Sequence, residues 1–351
     1  MTTTQPAAID DLRPLETHCE WRAADIVDSY VWHLDRDEIA ELAEALSVAQ
    51  LRCDDVLDVT VDDFPLPTLG ARLVDTADQL INGAGVRLIR GWPTEGHTRE
   101  QNEIVYWGVG MHLGRPWPQN ARGHLLGDVT DQKKAANDPT SRGNEVGGIA
   151  FPFHSDGSDL VGLFCLDPGA EGGKSIVANA LAIHNELVRN EPEVAAELYG
   201  DLPYDYRGEE RAGGRPWYTM PAFQRHDERL FVRYIRPYIN SVKRHESAPR
   251  LAPSTIAAMD RLDAMCADPT FHVKMQLEPG DMQFINNYHV LHGRDSYADD
   301  ADHGRVRHLK RLWLETRVLA DDQKPESFRL DRTASHWNKR KAKDDFAAQR
   351  G

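Results

Sequence analysis

Apolar and polar positions alternate with two different periods along the chain, and each period predicts one kind of element. Apolar residues three and four apart predict helices at 35–46, 68–82, 98–114, 181–200 (with a break near Pro192) and 252–268. Asp35, with Glu38 three residues later, is a candidate N-cap for the first of them. Short alternating or continuous apolar runs predict strands at 86–93, 160–166, 174–180, 229–235, 271–277, 281–291 and 307–315.

The predicted strands are short and are joined by Gly- and Pro-rich turns, such as DPGAEGG between the second and third of them. This spacing is typical of an antiparallel sandwich or barrel and not of a parallel α/β sheet. The helices precede the strands or form one insert, so they would pack on the outside. We therefore predict a mainly β protein with helical decoration, built on a jelly-roll (double-stranded β-helix) core.

The same pattern divides the chain into an N-terminal helical extension (1–75), a jelly-roll domain (76–325) with a helical or lid insert at about 181–270, and a charged C-terminal tail (326–351). Two stretches rich in turn residues, 115–150 and 204–224, are predicted as loops. Residues 205–222 have the composition of a mobile lid.

Composition and charge limit the classes of partner that the protein could bind. The 351 residues carry a net charge of −15 with no long basic run, which argues against a nucleic-acid or anionic-membrane surface. No apolar run has the length needed to span a bilayer. The four cysteines form no CxxC pair, so neither a disulfide framework nor a zinc finger is indicated, and a cytoplasmic location is predicted. A homo-oligomer stays open.

The stretch FPFHSDGSD contains a candidate metal-binding pair, His154 and Asp156. In a strand, residues two apart point to the same face, so an imidazole and a carboxylate could share one ion. Alone the pair is weak evidence, because an aspartate that caps the following turn is the more common case. A third ligand would come from LEPGDMQFINNYHVLHGRDSY, where His289 and His292 are three apart and would face opposite sides. Two histidines and one carboxylate form the facial triad of non-haem Fe(II) sites.

A second requirement follows if the cosubstrate is a 2-oxo diacid, because its far carboxylate then needs a cation in a partly buried place. Arginine suits this role, being permanently charged and able to donate two parallel hydrogen bonds. Arg307 and Arg311 lie four apart in the apolar strand RVRHLKRLWLE, on one predicted face. The alternative is that both are surface charges paired with the abundant acids.

Four segments taken together resemble the Fe(II)/2-oxoglutarate-dependent dioxygenases of the TauD/TfdA group, which includes taurine dioxygenases and relatives of clavaminate synthase. They are FHSDGSDLVGLFCL, GGKSIVAN, PGDMQFINNYHVLHGR and RHLKRLWL, and the resemblance extends over roughly residues 75–318. It implies a clavaminate synthase-like jelly roll. It also implies an oxidoreductase that uses Fe(II), 2-oxoglutarate and O₂ to oxidise a small molecule.

The resemblance also assigns the iron ligands. It makes them His154, Asp156 and His292, the last because it directly precedes Gly-Arg. Radical halogenases of the wider superfamily lack the carboxylate, so Asp156 argues against halogenation. Hydroxylation is the default outcome, and desaturation or cyclisation stays open.

The cosubstrate residues follow from the same resemblance. It places Arg307 and Ser175 on the distal carboxylate of 2-oxoglutarate, and Arg311 near the cosubstrate or an acidic group of the substrate. Arg307 follows His292 by 15 residues, which indicates an inserted loop between them.

Substrate contacts are the least determined part of the prediction. The candidates are Phe153, Tyr218, Tyr234 and Asn286, although core packing is the more common role for aromatic residues in such positions. Asn286 would share a strand face with His292 at period two. Two alternatives to the oxygenase are a cupin-type metal-dependent isomerase or hydrolase, which needs no Arg307 or Ser175, and a jelly roll that binds a ligand without catalysis.

Overall fold

The structure is a computed structural model that describes residues 8–120, 122–134, 138, 146–210 and 213–330. The helices in these residues are α1 (Arg36–Arg52), α2 (Leu69–Asn82), α3 (Arg99–Leu113), α4 (Ala180–Asn190), α5 (Pro192–Leu198), α6 (Arg236–Ser241) and α7 (Pro253–Ala267). The first strands are β1 (Val31–His33), β2 (Val86–Arg90), β3 (Gly114–Pro116), β4 (Leu126–Val129), β5 (Phe151–His154), β6 (Leu160–Asp167), β7 (Glu171–Gly172) and β8 (Ser175–Asn179). The remaining strands are β9 (Asp201–Asp205), β10 (Trp217–Pro221), β11 (Phe223–His226), β12 (Arg229–Val232), β13 (His272–Met275), β14 (Met282–Asn286), β15 (Val290–Arg294), β16 (Tyr297–Ala298) and β17 (His308–Thr316).

Two sheets form the centre of the molecule. The large sheet has the order β1-β2-β14-β6-β17-β3, and β4 pairs with the same edge of β17 as β3. Its strand pairs are antiparallel except for β1 with β2. The small sheet, β13-β8-β15-β5, is antiparallel throughout. The predicted mainly β jelly-roll fold with helical decoration is confirmed.

Alternation along the strands explains why the large sheet is buried on both sides. In β6, Val161 and Cys165 pack with Val177 and Leu309 in the space between the sheets. Phe164, on the opposite face of β6, packs with the helices. Each large apolar side chain that is fully buried contributes about 1.5–3 kcal/mol, so both layers stabilise the sheet.

Helices α1, α2 and α3 cover the outer face of the large sheet, and their ends match the predicted capping signals. The Asp35 side chain accepts hydrogen bonds from the first turn of α1, and the Glu38 carboxylate accepts one from the Asp35 backbone. Thr98 caps α3 in the same way with Gln101. The approach of α3 to the sheet is close, since a Cβ on Gly110 would lie 2.3 Å from Leu312.

The insert forms a second layer beside the small sheet. Its helices break between α4 and α5 at Pro192, as predicted, because proline offers no N–H to continue α4. The predicted loop at 204–224 is wrong in part, since residues 201–205 and 217–221 pair as an antiparallel hairpin. The predicted loop at 115–150 likewise contains β4, which pairs with β17.

One predicted strand, 281–291, is two strands in different sheets. β14 ends at Asn286 in the large sheet, and β15 begins at Val290 in the small sheet. Asn286 Oδ1 accepts from the Tyr288 backbone, and Asn287 Nδ2 donates to the Ser158 carbonyl, so the crossover is held by side chains. The inference that Asn286 shares a face with His292 was therefore wrong.

The predicted boundaries near residues 75 and 325 stay predictions. Residues 331–351 of the predicted tail, and 135–137 and 139–145 of the predicted loop, lie outside the described residues. Within the described part of the chain, no helix is both long and apolar enough to cross a membrane.

Candidate iron site

The three predicted iron ligands lie together at the β5 edge of the small sheet. His154 in β5 and His292 in β15 are directly opposite in the strand ladder, and their ring centroids are 4.0 Å apart. Asp156 Oδ1 lies 3.8 Å from His154 Nε2, and Oδ2 lies 3.9 Å from His292 Nε2. β5 ends at His154, so Asp156 reaches the site from the turn after the strand and not from the strand face that the sequence argument assumed.

The protonation states suit a divalent metal. His154 Nδ1 lies 3.0 Å from the Pro152 carbonyl, to which it can donate, and this leaves the Nε2 lone pair facing the site. Burial lowers the pKa of both imidazoles, that of His292 to about 3. Burial opposes ionisation of Asp156, yet the charge of Arg311 and then the two histidines hold its pKa below its usual range. Two neutral imidazoles and one carboxylate are the donor set that Fe(II) binds.

Neighbours orient the Asp156 carboxylate. Trp313 Nε1–H donates to Oδ2 at 3.0 Å, and Arg311 Nη1 lies 3.5 Å from the same oxygen. The Asp156 backbone N–H donates to Asn287 Oδ1 at 3.2 Å. The crossover between the two sheets thus contacts the metal-binding turn directly. Partners of this kind fix the direction of a ligand and sustain its basicity.

The ligands open onto a cavity of about 570 Å³. Alternate residues of β17 and the residue before it line one wall: Arg307, Leu309, Arg311 and Trp313. The period-two spacing therefore brings both predicted arginines to the cavity.

Arg307 is the most deeply buried cation on this wall, with 4% of its surface exposed. Its Nη1 has no hydrogen-bond partner among the described residues. Burial, and then the charge of Arg294, lower the pKa of Arg307 to about 10, so it stays protonated at neutral pH. Ser175 lines the same cavity and donates its hydroxyl to Gln283 Oε1 at 2.9 Å. An unpaired buried guanidinium is costly unless an anion binds to it.

The predicted substrate residues divide into two groups. Tyr218 lines the cavity. Phe153 does not line it and packs against the core of the insert. Tyr234 is fully buried, and its hydroxyl donates to Asp263 at 2.8 Å, away from the cavity. Its aromatic ring is therefore part of the core.

Asn286 and His289 also point elsewhere. Asn286 Nδ2 donates to the Leu80 carbonyl at 2.8 Å, on the helix side of the large sheet. His289 Nε2 lies 3.1 Å from the Gly83 carbonyl, and burial lowers its pKa to about 4. Neither residue lines the cavity beside the iron ligands.

Sequence reasoning missed two residues that lie beside Asp156. Trp313 was inside a predicted strand, but nothing in its spacing indicated that its N–H would face a carboxylate. Arg233 lines the cavity and contacts the turn that carries Asp156. A charged residue in the apolar run LFVRYI is a signal that could have found it.

Comparison with known proteins identifies the family. The model of the taurine catabolism dioxygenase TauD, TfdA family matches residues 48–313. The chain belongs to this family. The predicted resemblance and the predicted dioxygenase class are thereby confirmed.

Curated relatives agree with the family. The chain is 33% identical over 310 residues to FR-33289 synthase of Streptomyces rubellomurinus (strain ATCC 31215), a match that covers 86% of this chain and 90% of that protein. It is 26% identical over 304 residues to the taurine hydroxylase-like protein SAT17 of Stachybotrys chartarum, a match that covers 84% of this chain and 76% of that protein.

Solved structures share the fold at low identity. An asparagine oxygenase in complex with Fe(II), 2S,3S-3-hydroxyasparagine and succinate superposes with a TM-score of 0.64 at 17% identity, covering 81% of this chain and 93% of that one. The non-haem iron oxygenase OrfP in complex with Fe and alpha-ketoglutaric acid superposes with a TM-score of 0.61 at 18% identity. The match covers 82% of this chain and 93% of that one.

Proposed function

We propose that this dioxygenase binds Fe(II) through His154, Asp156 and His292 and hydroxylates a small molecule at the expense of 2-oxoglutarate and O₂. The observation that carries the proposal is the cluster of two neutral histidines and one ionised carboxylate, whose ligand atoms all lie within 4.8 Å of one another. Together the bound iron, 2-oxoglutarate and O₂ supply the oxidising power that converts a C–H bond to C–OH, with release of succinate and CO₂.

Arg307 and Ser175 would hold the distal carboxylate of 2-oxoglutarate. The unpartnered Nη1 of Arg307 supports this role, because a carboxylate would supply the missing acceptor. The Ser175 hydroxyl lies on the same cavity and can turn from Gln283 to a ligand oxygen. Burial strengthens such a charge-assisted hydrogen bond and keeps water from competing for it.

The neighbours of Asp156 would keep the site ready for the metal. Trp313 and Arg311 both face Oδ2, so the carboxylate stays ionised without a metal and its rotation is restricted. Apolar wall residues such as Leu163 and Leu309 limit the water near the reacting carbon. Water exclusion of this kind strengthens every electrostatic contact inside the cavity.

The relatives support a small-molecule substrate and hydroxylation as the outcome. The asparagine oxygenase structure holds a hydroxylated asparagine, and an OrfP structure holds (3S)-hydroxy-L-Arg with succinate. The cavity volume of about 570 Å³ is in the range of small-molecule sites. A cytoplasmic location and a homo-oligomer stay predictions.

The two alternatives explain less. A cupin-type isomerase or hydrolase would use the metal ligands but gives Arg307 no partner. A jelly roll that only binds a ligand does not require the orientation of Asp156 by Trp313 and Arg311. An oxygenase accounts for both features, because Fe(II) needs the oriented Asp156 and 2-oxoglutarate supplies a partner for Arg307.

The decisive measurement is the visible absorption of the purified protein with Fe(II) under anaerobic conditions. We expect a metal-to-ligand charge-transfer band on addition of 2-oxoglutarate. Pyruvate, which lacks the carboxylate assigned to Arg307, should give the band only at much higher concentration. Absence of the band from wild-type protein that has bound iron would refute the cosubstrate, and equal responses to the two acids would refute the role of Arg307.

A further inference from the structure

The chain after β17 returns to the cavity beside the predicted iron ligands. Segment 321–330 forms two short 3₁₀ turns, Asp321–Gln323 and Glu326–Phe328. Its last four residues, 327–330, line the cavity. Because these turns add no strand to either sheet, side-chain contacts must hold the segment in place.

A buried ion pair anchors the segment beside the metal-binding turn. Lys324 Nζ lies 2.7 Å from Asp159 Oδ2, and the two side chains are 1% and 0% exposed. Asp159 follows Asp156 by three residues. Its Oδ2 also accepts from the Thr316 backbone N–H at the end of β17, at 2.9 Å, and its Oδ1 accepts from the Tyr288 hydroxyl. One carboxylate thus joins the segment to the metal-binding turn, to β17 and to the crossover between the sheets.

Aromatic contacts hold the cavity side of the segment. The ring centroid of Phe328 lies 5.3 Å from that of Phe231 in β12 and 6.2 Å from that of Tyr288. Phe328 packs against both large apolar cores, the one under α1, α2 and α3 and the one in the insert. The preceding residue, Ser327, donates its hydroxyl to Gln224 in β11 at 2.6 Å. The segment therefore bridges the helix side of the large sheet and the insert.

The two basic residues of the segment differ in what they hold. Arg329 Nε donates to the carbonyl oxygens of Asp321 and Lys324 at 2.8 and 3.3 Å, so these bonds stay inside the segment. Within the described part of the chain, Lys324 is the basic residue that reaches an acid outside it. Removing one partner of a buried ion pair leaves the other charge uncompensated, so the position of the segment depends on Lys324.

We propose that Lys324 is a positioning residue of the dioxygenase: through Asp159 it holds the segment against the cavity, where Phe328 and Leu330 limit the access of solutes to the metal. This inference rests on the proposed function, since it assumes that iron is bound beside the cavity. Apolar side chains around a metal site control its access to solvent. A displaced segment would leave the iron ligands unchanged but open a path from solution to the metal.

The test measures how fast a chelator removes Fe(II) from the loaded protein under anaerobic conditions. Ferrozine, a bulky anionic chelator, is added at concentrations where the wild-type rate still rises with its concentration, and its coloured iron complex is followed by absorbance. Lys324→Met and Phe328→Ala should each accelerate removal about tenfold, the lower end of the effects of losing a residue that supports a metal site. Phe328→Leu, which keeps an apolar side chain, should be slower than Phe328→Ala.

Lys310→Met is the matched control for the loss of a buried lysine. Lys310 is as buried as Lys324 and pairs with Glu103 and Asp128, on the side of β17 that faces the helices. Denaturant unfolding should show that both lysine variants are destabilised, whereas faster iron removal should appear in Lys324→Met alone. The visible band with 2-oxoglutarate should keep its wild-type position in every variant, because no ligand is changed.

A removal rate that is unchanged in Lys324→Met or in Phe328→Ala would overturn the inference, as would equal acceleration in Lys310→Met. If Lys324→Met does not fold, the two Phe328 variants decide the question. Failure of the proposed function is recognised separately, because wild-type protein would then retain no Fe(II). In that case hydrogen exchange on metal-free protein is the test. Backbone amides of segment 321–330 should exchange faster in Lys324→Met than in Lys310→Met, and equal rates would refute the anchor.

Discussion

The two faces of strand β17 both carry buried cations, but the cations differ in whether they are paired with acidic residues. The face toward the helices presents Lys310, with 1% of its surface exposed. Its ammonium lies 3.1 Å from Glu103 and 2.8 Å from Asp128. Asp128 also accepts from His308 at 2.6 Å and from Arg99 at 2.7 Å. Every charge on this face has its counter-charge inside the protein.

The cavity face is built from the alternate positions, and there the pairing is incomplete. Arg307 keeps an Nη1 without a partner among the described residues, and Arg233 faces the same cavity with hydrogen bonds to neutral oxygens and no ion pair within that part of the chain. Lys310 and Arg307 are 1% and 4% exposed, so burial does not distinguish the two cations. What distinguishes a structural charge from one prepared for a ligand is whether its partner belongs to the chain. This difference predicts which substitutions change stability and which change binding.

The largest expected effect concerns His289 and His292, because only one of the two has its partner within the protein. His289 has its partner in the Gly83 carbonyl, whereas His292 Nε2 faces the cavity and Asp156. His292→Ala should abolish iron binding and turnover, measured by metal analysis and succinate release. His289→Ala, the matched control, should lose stability but retain iron. Iron loss from His289→Ala with retention in His292→Ala would show that the ligand is His289.

Lys310→Met should give the largest change in stability. It leaves Glu103 and Asp128 without their shared cation, and breaking a buried ion pair costs about 3–5 kcal/mol. Denaturant unfolding measures this change. Arg307→Met, three residues away, should leave the free energy of unfolding unchanged or raise it, because a buried cation that forms no ion pair with the described residues is removed. Equal destabilisation by the two variants would contradict the distinction between the faces.

Arg307→Met should instead weaken 2-oxoglutarate binding about ten- to hundredfold, since a charge-assisted hydrogen bond to the distal carboxylate is lost. The concentration of 2-oxoglutarate that half-saturates the visible band is the readout. Arg307→Lys should lie between wild type and Arg307→Met, because the ammonium keeps the charge and loses the paired donors. If Arg307→Met needs no more 2-oxoglutarate than wild type to half-saturate the band, binding of the distal carboxylate would be assigned to Arg311.

The smallest effect is a dependence of stability on pH. Burial raises the pKa of Asp128, but hydrogen bonds from His308 and the charge of Lys310 more than offset this and hold it well below its usual range. A carboxyl whose pKa is depressed in the folded state stabilises the fold above its ordinary pKa of about 4, and this contribution is lost as the pH falls further. Asp128→Asn should therefore lower stability at pH 7 and flatten its decline below pH 4. If the free energy of unfolding of Asp128→Asn declines as steeply below pH 4 as that of wild type, other carboxylates control the acid sensitivity.

The helices and the identity of the ligand residues could be predicted from the sequence. Capping boxes such as Asp35 with Glu38 are local, so they mark the helix ends without knowledge of the fold. The residues of the metal cluster were found because few residue types bind Fe(II) and because the resemblance selected His292 over His289. The period of β17 was also sufficient to bring Arg307 and Arg311 to one wall.

Features that depend on long-range contacts could not be predicted. The run from 281 to 291 was predicted as one strand, whereas the side chains of Asn286 and Asn287 donate to the carbonyls of Leu80 and Ser158 at the point where the chain changes sheet. Tyr234 resembles a pocket residue in sequence, yet its hydroxyl finds Asp263 in the core. The direction of a side chain in an insert depends on neighbours that are distant in sequence.

The buried pair of Lys324 and Asp159 has a consequence for the order in which the enzyme is completed during synthesis. Asp159 follows Asp156 by three residues, and its carboxylate lies 2.7 Å from the Lys324 ammonium. The segment that Lys324 anchors supplies Phe328 and Leu330 to the cavity wall. On the ribosome, the metal ligands emerge well before this wall, so a chain interrupted ahead of Lys324 would bury Asp159 without its cation. An unpaired buried carboxylate is strongly destabilising, so such a fragment would be less stable than the full chain as well as lacking part of the cavity wall.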